Sequence, residues 1–136
     1  AAVAELERLP EELQLLPAVQ AVRLDCLMAA KDWNAAVKLA QVLCGQWAEE
    51  PGLWLHHAYA ARRCAGGSIE AAYELLAPCV ERFPEEWLIP YNVACYLCQM
   101  ERLDEARAML EMARSKGGER VDAMAKDDKD LAPLNL

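Results

Sequence analysis

Cys95 and Cys98 stand three residues apart, the spacing of thiol pairs that cycle redox states or hold a metal. They lie within a helical pattern, away from the helix N-terminus that lowers a thiol pKa. Neither a second CxxC nor a suitably spaced pair of histidines completes a zinc set. All six cysteines, Cys26, Cys44, Cys64, Cys79, Cys95 and Cys98, fall inside helical patterns, mostly where a small apolar residue fits. They are read as reduced core or near-core residues. A thiol-based redox or metal role for Cys95 and Cys98 stands as an alternative. His56 and His57 are neighbours, so on a helix they point to different sides and cannot chelate one ion together. Gly66-Gly67-Ser68 precedes a helical pattern and could cradle an anion. Without a preceding strand or a following Lys it reads as a plain turn. Asp127-Asp128-Lys129-Asp130 lacks the Gly and terminal Glu of a calcium loop and reads as a solvated turn and cap. No Ser, His and acid arrangement stands out. The chain is therefore read as non-enzymatic, with no cofactor and no metal.

The bulk numbers agree. The 136 residues make one domain's worth of chain, long enough to bury a core without staples. The formal net charge of −8 repels phosphate backbones, so nucleic acid is not expected as a partner. With one Phe and few β-branched residues, the composition favours helix. No window of 18 apolar residues exists, so no membrane span is expected. The N-terminus lacks the basic and apolar regions of a signal peptide, and reduced cysteines fit a cytoplasmic protein. The missing initiator Met points to trimming or to a fragment of a longer chain.

The elements that must position these residues follow from helical periodicity. Residues 1–16 carry Leu6, Leu9, Leu13 and Leu16 on one side, and Pro10 divides them into two short pieces. A helix over 18–30 is followed by a turn at Lys31-Asp32, with Asp32 as N-cap of a helix over 33–48 that stops before Pro51. Residues 53–63 form the next helix, broken by residues 64–67. Ser68 caps a helix over 69–83 that Pro84 ends. Pro78 lies inside it and predicts a kink on a solvent-facing side. Helices over 87–100 and 103–115 follow. Pro90 falls in the first turn of the former, and Gly117-Gly118 closes the latter. A shorter amphipathic piece with Val121, Met124 and Ala125 then leads to Leu131, Pro133 and Leu134.

One stripe recurs three times: Trp33, Ala36, Ala40, Leu43; Ile69, Ala72, Leu76, Cys79; and Leu103, Ala106, Leu110, Ala113. Each occupies one face of a helix. From Ala36 to Ala72 is 36 residues, and from Ala72 to Ala106 is 34. A helix-turn-helix unit near that period resembles the tetratricopeptide repeat. Residues 32–36, 68–72 and 102–106 resemble the family's second-helix start, a large residue followed three places later by Ala. Trp54 resembles its first-helix anchor, Ala58 and Ala94 its small residue at the close helix crossing, and Pro84 its closing proline. The segment AKDDKDLAPL is similar to the tail of small three-repeat bacterial members. The chain departs from the pattern at Gly66-Gly67, which add two residues to one turn. Glu101 stands where a turn glycine is usual, Pro90 where an aromatic is usual, and Gly118 in place of a closing proline.

The resemblance implies an all-α fold, a right-handed superhelical array of antiparallel helix pairs. Its parts would be an N-terminal capping helix (1–17), repeats over 18–51, 52–84 and 85–118, and a C-terminal capping segment (119–136). It also implies a concave face lined by the first helix of each pair, where a protein or peptide partner docks. By register that face takes Ala21, Asp25 and Met28, then Leu55, His56, Tyr59, Arg62 and Arg63, then Tyr91, Asn92, Cys95 and Gln99. Arg62 and Arg63 with Asn92 could grip a peptide carboxylate, although the family's carboxylate clamp is only partly matched. The function so implied is that of a protein-interaction module or scaffold. Its alternative is a structural role, as a homodimer or as an array capped by its own N-terminal helix.

Overall fold

The computed structural model describes residues 2–136. Among these residues the protein is all-helical: 76% lies in helices and there is no strand. The chain packs as two compact units, one ending at Gly67 and the other Ser68–Leu136.

The first unit opens with two short helices, α1 (Ala2–Glu7) and α2 (Glu11–Gln14), separated at Pro10 as the sequence predicts. The Gln14 side chain donates to the carbonyls of Glu7 and Leu9, at 3.0 and 2.7 Å, and so holds the bend. Helix α3 (Pro17–Ala29) follows, with proline in its first turn, where its missing N–H has no intrahelical partner to lose. Helices α4 (Trp33–Gln46) and α5 (Pro51–Arg63) complete the unit. Pro51 opens α5 rather than stopping α4, which ends five residues earlier at Gln46. Leu24, Ala36, Ala40, Leu43 and Ala60 form the buried centre, flanked by Leu27, Trp33, Val37, Trp47 and Leu53. Burial of a leucine such as Leu24 or Leu43 contributes about 1.5–3 kcal/mol. The alanines carry only a methyl group, which lets the helices approach closely.

The second unit contains α6 (Ile69–Leu76), α7 (Cys79–Arg82), α8 (Leu88–Gln99), α9 (Leu103–Gly117), α10 (Glu119–Ala125) and a 3-10 helix (Lys129–Leu134). Ser68 caps α6, its hydroxyl accepting from the Ala71 amide at 3.0 Å. Pro78 is exposed, as expected, and parts α6 from α7. The dihedrals of Ala77 and Pro78 stay right-handed helical, and the proline interrupts the hydrogen-bond ladder between the two helices. Helix α8 is buried almost all round, with nine of its residues, Ile89 to Cys98 apart from Asn92, in the interior. Gly117 lies where a Cβ would stand 2.8 Å from the Trp87 ring and 2.7 Å from Val121, so α9 and α10 close tightly there.

All three alanine-bearing stripes are buried, apart from their partly exposed first residues Trp33, Ile69 and Leu103. Two turns are built alike. Lys31 (φ 58°) and Glu101 (φ 61°) adopt left-handed conformations. Asp32 N–H reaches back to Leu27 O at 3.0 Å, and Arg102 N–H to Leu97 O at 2.9 Å. Each is the six-to-one bond that closes a helix C-terminus, made here without glycine. The turn with two extra residues differs: Gly66 takes the positive φ, and a Cβ on Gly67 would lie 2.1 Å from the Ala61 carbonyl oxygen.

Candidate interaction surfaces

In the first unit, helices α3 and α5 present residues at steps of three and four. Pro17, Ala21, Asp25 and Met28 lie along α3; Gly52, His56, Tyr59 and Arg63 lie along α5. Between the N-terminal halves of these helices runs a groove of about 490 Å³. Its walls include Ala18, Ala21, Gly52 and Leu53, and its floor Leu24, Leu43 and Trp47. Small residues at the rim keep it open. Asp25 and His56 meet across it, with Nε2 of His56 3.5 Å from Oδ1 of Asp25. The other ring nitrogen of His56 lies 2.7 Å from the Gly52 carbonyl oxygen.

Further along the same helices is a second recess, lined by Met28, Ala29, Lys31, Trp33, Tyr59 and Arg63. The Arg63 guanidinium lies 3.4 Å from the Tyr59 ring centroid and 5.7 Å from that of Trp33. Its Nη1 donates to the Tyr59 carbonyl at 3.0 Å. Stacking fixes the cation without neutralising it, and Lys31 adds a second positive charge. Of the residues expected on this face, Asp25, Met28, His56, Tyr59 and Arg63 line one recess or the other. Leu55 and Arg62 are half-buried and line neither. Lys31, Trp33, Gly52 and Leu53 also line the recesses and were missed; the helical spacing of Gly52 and Leu53 from His56 was available in the sequence, whereas Lys31 lies in a turn and Trp33 on α4.

In the second unit, Tyr91 and Cys95 are not on an exposed surface. They are 1% and 4% exposed, covered by the segment that follows α10. The Tyr91 hydroxyl donates to Oδ2 of Asp128 at 2.7 Å, and the Cys95 thiol lies 3.7 Å from the same oxygen. Gln99 remains exposed, its amide donating to the Asp130 carbonyl at 3.1 Å. Asn92 is half-buried and turns its amide back to Leu88 O at 2.8 Å. Leu131 and Leu134 complete the cover. The acidic run is therefore more than a solvated turn. Asp128 caps the 3-10 helix through Oδ1, which accepts from the Asp130 amide at 3.0 Å, and pins that helix to α8 through Oδ2.

Burial, followed by the charges of Asp128 and Asp130 and the hydrogen bond from the thiol to Asp128, pushes the Cys95 thiol far up. Burial, then the hydrogen bond to Asp128, does the same to Tyr91. Cys98 is raised by burial, with Arg107 opposing. A protonated, covered thiol is a poor nucleophile, so this environment does not activate the CxxC pair. Cys95, Asp128 and Asp130 place three metal-type donor atoms within 4.8 Å of one another. The Asp128 carboxylate, however, spends both oxygens on protein donors. On α5, burial lowers the His57 pKa, and Nδ1 of His57 is buried without a hydrogen-bond partner.

No helix is long and apolar enough to cross a membrane among the described residues. Fold and surfaces together define an all-helical protein whose helices pair through small-residue stripes. Comparison of the chain with protein-family models, with curated proteins and with solved structures finds no match.

Proposed function

We propose that the protein is a non-enzymatic, tetratricopeptide-like interaction module that docks a peptide or helix of another protein along α3 and α5. The observation that carries this reading is the order of features along those two helices. An apolar groove between Ala21 and Leu53 is followed by a basic and aromatic recess at Lys31, Trp33, Tyr59 and Arg63. A ligand with apolar side chains followed by a carboxylate fits that order, because the apolar part gains by burial and the carboxylate meets a positioned guanidinium. The recurrence of the buried alanine stripe, and of the turns at Lys31 and Glu101, supports the repeat assignment. The raised thiols of Cys95 and Cys98 weigh against the redox alternative.

Selection from a random displayed-peptide library tests the reading. Enriched peptides should combine apolar residues with an acidic end. Arg63→Glu should weaken their capture at least about tenfold, the scale of a lost charge-assisted hydrogen bond. Ala21→Arg should block the groove with little change in melting temperature. Peptides indifferent to both substitutions would place the binding surface elsewhere.

A further inference from the structure

The α8 face that carries Tyr91, Cys95 and Gln99 already holds a peptide, and that peptide is residues 126–136 of the same chain. It is anchored at few points. Asp128 receives the Tyr91 hydroxyl, the Asp130 carbonyl receives the Gln99 amide, and Leu131 and Leu134 are 1% and 5% exposed. Between the anchors, Lys129, Ala132 and Pro133 face water. The residues anchored by their side chains therefore spell Asp-x-x-Leu-x-x-Leu. The segment is wound as a 3-10 helix, whose hydrogen bonds are poorer than those of an α-helix. It joins α10 through Lys126 and Asp127, both exposed. A few apolar anchors with flanking polar contacts are the usual means by which a groove reads a short peptide.

From this we infer that the α8 surface is a docking site for an Asp-x-x-Leu-x-x-Leu segment of a partner protein, and that the chain's own copy is a displaceable strap. The inference rests on the reading of the protein as a peptide-binding module, but it concerns a different surface from the α3 and α5 groove. The tethered strap acts at a high effective concentration, so an external ligand binds with an affinity reduced by the closed fraction. Loosening the strap is then the switch that admits the partner.

The test uses the full chain and a fluorescein-labelled peptide of sequence KDDKDLAPLNL. Leu134→Asp removes one anchor from the strap and leaves α8 unchanged. This variant should bind the peptide at least about tenfold more tightly than the wild-type chain does. A peptide with both leucines replaced by alanine should not bind. Asp128→Asn, a milder opening, should give a smaller gain of about threefold. Equal binding by wild type and both variants overturns the proposal, as does equal binding of the alanine peptide. Loss of cooperative folding in both variants also overturns it, because the segment is then ordinary core. Concentration-dependent dimers of Leu134→Asp that take up no peptide overturn it in favour of a strap exchanged between copies. Failure of Arg63→Glu to affect library capture leaves these outcomes untouched, so the two readings fall separately.

Discussion

The Tyr91 hydroxyl and Oδ2 of Asp128 lie 2.7 Å apart although 37 residues separate them in the chain. This bond joins the first turn of a buried helix to the residue that caps the covering 3-10 helix. Its acceptor is a carboxylate, which makes it one of the stronger kinds of hydrogen bond.

Tyr91→Phe keeps the ring in its edge-on contact with Trp87, with centroids 6.1 Å apart, and removes only the donor. It should lower stability by about 1–2 kcal/mol, the cost of leaving a partly buried carboxylate one donor short. Urea unfolding followed by circular dichroism gives the value. A change below a few tenths of a kcal/mol would mean that water replaces the hydroxyl without loss.

Stability should fall in alkali. In the folded state Tyr91 and Cys95 keep their protons to higher pH than in the unfolded chain, because burial disfavours the charged forms. Above the ordinary thiol value of 9.0 the unfolded chain binds fewer protons than the folded one. The contribution is thus complete below that pH and is lost as pH rises. The loss approaches about 1.4 kcal/mol per pH unit for each group. Cys95→Ala should flatten the decline, as measured by melting temperature between about pH 8 and pH 10.5.

The acid side has its own group. Burial lowers the His57 pKa from 6.5, so the unfolded chain takes up a proton that the folded chain resists. The associated stability is present above pH 6.5 and drains away as pH falls toward the lowered folded value. His57→Leu removes both this dependence and the unpartnered Nδ1. Its stability should change less between about pH 7 and pH 5 than that of the wild type.

The same substitution at two glycines should act with opposite sign. Gly45, exposed in the last turn of α4, has nothing within 4 Å of a built Cβ. Gly45→Ala should stabilise by about 0.5–1 kcal/mol by restricting the unfolded chain. Gly117→Ala gains the same helix propensity but drives a methyl group into the Trp87 ring and Val121. Overpacking costs about 1–3 kcal/mol and should win. Thermal melts of the two variants decide the matter.

Much of the fold was legible because local chemistry and global packing agree in it. Asp32 and Ser68 announce their helices and cap them, and Pro10 and Pro78 divide theirs. Ala36, Ala72 and Ala106 sit fully buried, each third in line after a large residue. What was not legible depends on distant chain or on strain. Neither Lys31 nor Glu101 is of a residue type that announces a left-handed conformation, since glycine normally does so; only the register of the resemblance set Glu101 at a turn-glycine position. Tyr91 and Cys95 look like a contact face in sequence, and they are one, but the contacting partner lies over 30 residues further along. Arg63 could be named from its charge, whereas its stacking on Tyr59 and Trp33 needed the turn that brings α4 beside α5.

The cover over Cys95 also makes the protein its own clock. A thiol 4% exposed can be alkylated only during the moments when the segment above it lifts. Cys26 and Cys64, partly exposed, give reference rates within the same molecule. The ratio of the slow rate to the fast ones, with each thiol's ionisation taken into account, converts directly into the free energy of local opening. The unmodified chain thus carries a built-in meter for the motion on which occupancy of the α8 face depends.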